Sequence, residues 1–175
     1  MSKNRKDAII IILVTNAILI SFIESFFPLP IPIPGVKLGL GNIITMVGIV
    51  FLGLKDILLI VVVRSFVVAV LTRGVTMLPF SLSGGILSAL IMWVLYKKFS
   101  QLFSIKIISI IGAIIHSTAQ VMVASMMLGQ LIVLYYLPAL FITSIVSGFI
   151  TGRIGELVIN EIRNKEIFTA KKIIV

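Results

Sequence analysis

The run Ile57-Leu58-Leu59-Ile60-Val61-Val62-Val63-Arg64-Ser65-Phe66-Val67-Val68-Ala69-Val70-Leu71 decides how this chain is built. Apart from Arg64 it holds no charge, so it reads as the middle of a helix inside a lipid bilayer. A charged side chain at the centre of such a helix costs about 2.5–3.5 kcal/mol on insertion scales, and it is kept where it faces a partner, a cavity or a ligand. Arg64 is therefore the first candidate functional residue.

The rest of the chain agrees with that reading. Its 175 residues are 59% hydrophobic and 12% charged, with a mean hydropathy of +1.25, outside the range of ordinary soluble domains. The expected fold is all-α, a polytopic membrane protein forming one six-helix bundle over residues 1–175 with no separate soluble domain. Charges, prolines and glycines bound six candidate helices at 8–27, 37–52, 55–72, 80–96, 105–128 and 131–162. The second is short enough to be tilted or partly re-entrant, and the last runs on into a polar tail over about 160–175.

Charge supplies the orientation. Lys3, Arg5, Lys6, Lys55, Lys97, Lys98, Lys106, Arg153, Arg163, Lys165, Lys171 and Lys172 fall on one side of the expected membrane, and only Lys37 and Arg73 on the other. The excess marks the cytoplasmic side, so both termini are expected there, in a cell membrane. The net charge of +9 thus reflects topology, not a nucleic-acid surface. The basic N-terminus imitates a signal peptide, but the apolar stretch behind it has no small-x-small cleavage pattern and reads as an uncleaved first helix. With no cysteine and His116 as the sole histidine, disulfides and thiolate or multi-histidine metal centres are excluded, and no cofactor is expected.

Between the first two helices, Pro28-Leu29-Pro30-Ile31-Pro32-Ile33-Pro34-Gly35 alternates proline with apolar residues. Fixed φ and missing donors rule out helix there, so loop 28–36 is expected to be a stiff extended strap on the outer face. It is either a rigid linker or one wall of an outward pocket.

At about 1.5 Å per residue, Glu24 and Asn42 lie roughly 6–7 Å below the outer face, Gln120 and Arg64 about 12–13 Å, and His116 about 18 Å. Arginine snorkels along its stem, so an ion pair between Glu24 and Arg64 is geometrically reasonable, and His116 and Gln120 share one helix face. Each has a purely structural alternative: an ion pair that holds helices together, an interhelical hydrogen-bond group, or, for Asn42, a helix cap. Their concentration on one side of the membrane favours a shared cavity. Gly35-x-x-x-Gly39, Ala17-x-x-x-Ser21 and Gly84-Gly85 read as helix-packing positions. Gly39-x-Gly41 lacks the strand and third glycine of a dinucleotide site, and no GxxxxGK[ST] loop occurs, so any ATP dependence must come from partners.

Taken together, Glu24-Ser25, Pro34-Gly35-Val36-Lys37-Leu38-Gly39-Leu40-Gly41-Asn42, Arg64, His116, Gln120 and Tyr135-Tyr136-Leu137-Pro138 resemble the Gx transporter family, also called heptaprenyl diphosphate synthase component I. That family in turn resembles the substrate-binding S components of energy-coupling factor (ECF) transporters. The resemblance covers nearly the whole chain, and the proline loop with PGVKLGLGN is its specific part. It implies six helices around an outward pocket for a vitamin-like molecule, and partnership with a membrane coupling subunit and two ATPases. The alanines that S components commonly space by four on the first helix are not matched: Ile12 follows Ala8, and only Ala17 and Ser21 form a small pair.

The expected function is capture of a small anionic solute, related to a vitamin, flavin, quinone or isoprenoid. Arg64 and Lys37 would offer positive charge, Glu24, Asn42, His116 and Gln120 would orient it, and Tyr135 and Tyr136 would close an aromatic side. The alternative is a non-catalytic membrane subunit of a polyprenyl (heptaprenyl) diphosphate synthase. A self-sufficient synthase is excluded, because magnesium on a diphosphate needs clustered carboxylates, and Asp7 and Asp56 are the only aspartates. A proton-coupled carrier using Glu24 and His116 is a third possibility.

Overall fold

A computed structural model describes residues 3–26 and 39–165. The proline-rich loop, Lys37 and the tail beyond Lys165 lie outside the described residues. Six α-helices follow in order: α1 Lys3–Glu24, α2 Asn42–Phe51, α3 Leu54–Val68, α4 Leu78–Phe99, α5 Ile105–Leu128 and α6 Leu137–Asn164. Helix α3 continues into a π-helical turn, Ala69–Arg73, and two 3-10 segments, Val75–Met77 and Leu131–Tyr136, precede α4 and α6. No strand occurs among the described residues.

Four of these helical stretches are long and apolar enough to cross a membrane: Lys6–Glu24, Leu78–Phe99, Ile105–Leu128 and Leu131–Asn164. Large side chains such as Ile12, Leu19, Phe66, Ile142 and Phe149 are more than half exposed. An outer surface of that kind suits lipid.

Helix α2 departs most from expectation. It begins at Asn42 instead of residue 37, because Gly39 takes φ +81°, a left-handed conformation that interrupts a right-handed helix. Its 10 residues span only about 15 Å, half of a hydrocarbon core. Every residue from Asn42 to Ile49 is buried, which marks a helix enclosed by protein. The other five helices all contact it.

Around that axis, α1 packs on α3, α3 on α4, α4 on α5 and α5 on α6. The α5–α6 seam is held close by glycine: a Cβ at Gly148 would lie 2.6 Å from the Cα of Ile110, and one at Gly152 would lie 2.9 Å from the Cα of Lys106. Hydroxyl pairs cross the same seam, Ser109 with Thr151 at 2.9 Å and Ser144 donating to Ser117 at 2.8 Å. At the end that carries both described termini, Lys6 pairs with Asp56 at 2.8 Å and Lys106 with Glu156 at 3.2 Å. The opposite end collects the polar residues singled out above.

Candidate functional site

Arg64 is 4% exposed and points into the bundle, not into lipid. Its position on α3 brings it beside the junction of α1 and α2. A Cβ on Gly41 would collide with Arg64 Nη1 and with Ser21 Oγ, so a larger residue there would push the guanidinium from its present position. Glu24, 3% exposed at the last residue of α1, acts on Arg64 electrostatically. The same carboxylate accepts the Gly39 N–H through Oε1 at 2.6 Å, tying the end of α1 to the turn that starts α2.

The far side of the layer comes from α4 and α5. His116 and Gln120 are buried one turn apart on α5. Gly84 seats against them, since its Cβ would lie 2.9 Å from the His116 carbonyl and 3.0 Å from Gln120 Cγ. The next residue, Gly85, seats against α3, with a would-be Cβ 2.7 Å from Val61 Cγ1 and 3.4 Å from Arg64 Nη2. Adjacent glycines on α4 thus hold Arg64 on one flank and the His116–Gln120 pair on the other. Ser81 completes the ring by donating to Ser65 Oγ at 3.0 Å.

Ser21, Glu24, Gly39, Gly41, Arg64, Ser65, Val68, Ser81, His116 and Gln120 enclose a cavity of ≈ 20 Å³. That is room for one or two water molecules. Asn42 stands beside it, 3.0 Å from the Cβ position of Gly39, and among the described residues its amide nitrogen and oxygen find no hydrogen-bond partner although the residue is 5% exposed. One turn further, the Thr45 hydroxyl is likewise buried with no hydrogen-bond partner among the described residues. Unsatisfied buried groups cost about 1–3 kcal/mol each, and a native fold that keeps two together calls for an explanation.

Of the residues chosen from sequence, Glu24, Asn42, Arg64, His116 and Gln120 are therefore gathered in one layer. Tyr135 and Tyr136 do not line it: Tyr135 is 84% exposed and Tyr136 37%, on the 3-10 segment before α6, where paired tyrosines suit a membrane interface. Lys37 lies outside the described residues. Sequence reasoning missed Ser65 and Ser81 altogether and read Ser21, Gly84 and Gly85 as packing only. Among the described residues, no three His, Asp or Glu side chains come together to hold a metal ion.

The family model described as heptaprenyl diphosphate synthase component I matches residues 13–158, which is most of the chain. No curated protein and no solved structure matches it.

Proposed function

We infer the function from a plain premise, that the chain belongs to the heptaprenyl diphosphate synthase component I family, and from the polar layer around Arg64. We propose a solute-binding component of a membrane importer, in which the layer at the outer end of the bundle receives the charged group of a small organic anion. One observation carries this reading: a nearly buried guanidinium is surrounded by polar groups from α1, α4 and α5, next to an Asn42 amide that no described residue satisfies. A structural ion pair needs no such neighbours.

Charge balance sets the solute class. Within the described layer Glu24 offsets Arg64; Lys37, which lies outside the described residues, would supply the further positive charge that an anionic solute group removes. The ≈ 20 Å³ cavity is too small for more than part of that group, so the body of a vitamin-, flavin-, quinone- or isoprenoid-related molecule would lie outside it. Six spans with both termini in the cytoplasm fit the lysine and arginine distribution. With no nucleotide loop in the sequence, energy would come from a coupling subunit and two ATPases, as in ECF importers.

The family description favours a second reading, a membrane subunit that assists a separate prenyl diphosphate synthase. The two separate in one experiment on purified protein. The importer reading expects a small anion to raise the melting temperature and Arg64→Ala to remove the rise. If no solute shifts the melt while the protein changes the product length of a soluble prenyl synthase, the subunit reading replaces it.

A further inference from the structure

Asn42 is the first residue of α2, and that place explains why its side chain finds no carbonyl in its own helix. An asparagine inside a helix can donate to the carbonyl four residues back, as Asn16 does on α1 to Ile12 at 2.8 Å. Behind Asn42 there is no helical turn, only the stretch from Gly39 to Gly41, with Gly39 at φ +81°. Nor does Asn42 cap α2: Gly41 holds that position, with no side-chain cap bond. Nδ2 and Oδ1 are thus both buried with no hydrogen-bond partner among the described residues.

Other polar side chains around it are engaged. Glu24 accepts from the Gly39 N–H, Ser81 donates to Ser65, and Ser117, next to His116, accepts from Ser144. Asn42 stands at the edge of the Arg64 cavity with both its polar atoms unused. Gly39 and His116 line that cavity, and a Cβ on Gly39 would lie 3.0 Å from Asn42 Nδ2 and 3.8 Å from His116 Cδ2. A side chain at residue 39 would therefore crowd the carboxamide, whereas glycine leaves it open towards the cavity.

A carboxamide with both atoms unmet calls for a specific complement, an acceptor for Nδ2 and a donor for Oδ1, side by side in one plane. Carboxylate and phosphate groups supply acceptors alone and would leave Oδ1 bare. A prenyl chain supplies neither, and a lone hydroxyl serves one atom at a time. A cis-amide edge, O=C–N–H, supplies both. The charge of the layer agrees, since Glu24 already acts on Arg64 and a neutral edge needs no new counter-charge beside that pair.

We propose that Asn42 is the specificity residue of this site: among the anions drawn to Arg64 it selects those that carry a lactam, imide or ureide edge close to the charge. The inference rests on the reading of the layer as a solute site and narrows its solute to a heterocyclic amide.

The test takes apparent affinities from the solute-dependent melting of the full chain in detergent. One set of solutes is orotate, biotin and flavin mononucleotide, each also methylated at the amide nitrogen; the other is benzoate, ribose 5-phosphate and farnesyl diphosphate, which have no amide. At least one of the first set should stabilise the protein in an Arg64-dependent way, and methylation should weaken it about tenfold, because Asn42 Oδ1 then stays bare. In Asn42→Leu the parent solute should weaken by the same factor, and methylation should have no further effect. Arg64-dependent binding confined to the amide-free set would overturn the inference and leave the solute site standing, as would methylated solutes that bind as tightly as their parents. A sharp fall in the melting temperature of Asn42→Leu without solute would assign the amide to the protein's own stability and overturn the inference too. If neither set stabilises the protein, the solute site itself falls, and the inference with it.

Discussion

The backbone N–H of Gly39 donates to Glu24 Oε1 at 2.6 Å, across a gap of fifteen residues and in a buried setting. The bond makes Glu24 both a latch between α1 and α2 and the counter-charge of Arg64. A residue with both duties behaves differently from a simple ion-pair member. Removing one member of a buried pair costs about 3–5 kcal/mol, whereas removing both charges together is often close to neutral.

Arg64→Met alone should therefore destabilise strongly, by about 3–5 kcal/mol. The Glu24→Gln/Arg64→Met double variant should recover most of that loss, because a glutamine oxygen still accepts the Gly39 N–H. Thermal unfolding in detergent of the two single variants and the double variant gives the coupling. Strictly additive losses would show that the two charges stabilise the fold independently.

Asn42 separates stability from binding. Among the described residues its side-chain nitrogen and oxygen have no hydrogen-bond partner, so Asn42→Leu deletes a penalty without deleting a bond. Replacing an unsatisfied buried group by an apolar one of similar shape is expected to change stability by no more than about 1 kcal/mol, or to raise it. Solute-induced stabilisation should be lost in the same variant. A large drop in melting temperature would instead make the amide structural.

How much of this was legible follows the physics of each residue. The sequence predicts a helix over 105–128 and α5 spans Ile105–Leu128, because both ends carry local signals: the Ser104 hydroxyl accepts from the Ile107 N–H at 3.4 Å, and Gly129 takes φ +64°. The expected helix at 131–162 instead begins as a 3-10 segment, with α6 starting at Leu137. Pro138 fits the first turn of a helix, where its missing donor is harmless, and the residues before it wind as 3-10 helix. In the site, Glu24, Arg64, Asn42, His116 and Gln120 stood out because polar groups at membrane depth are costly. Ser65 and Ser81 did not, since a hydroxyl inside a helix is cheap and common. Tyr135 lies exposed and away from that cavity, and an aromatic pair in sequence reads equally as a pocket wall or as an interfacial anchor.

Ser109 provides a control away from the layer. Its hydroxyl meets Thr151 at 2.9 Å across the α5–α6 seam, and both residues are buried. Interhelical bonds of this kind in a membrane average about 0.6 kcal/mol, so Ser109→Ala should lower the melting temperature slightly and leave solute stabilisation intact. Loss of the solute effect in this variant would mean that binding reports general loosening of the bundle.

Two glycine-to-alanine changes should move stability in opposite directions. At Gly48, in the interior of α2, the new methyl would lie 3.6 Å from Ile57 Cγ1 and 3.9 Å from Ile60 Cδ1, ordinary contact distances. Removing a helical glycine there should stabilise by about 0.5–1 kcal/mol, because less backbone entropy is lost on folding. At Gly84 the methyl would lie 2.9 Å from the His116 carbonyl oxygen, a backbone atom that cannot rotate away. Helices α4 and α5 would have to separate, at a cost of about 1–3 kcal/mol. That separation would also carry His116 and Gln120 away from Arg64, so Gly84→Ala should weaken solute stabilisation while Gly48→Ala preserves it. Melting curves of the two variants with and without solute decide the matter: equal solute response in both would place the functional layer elsewhere than between α3 and α5.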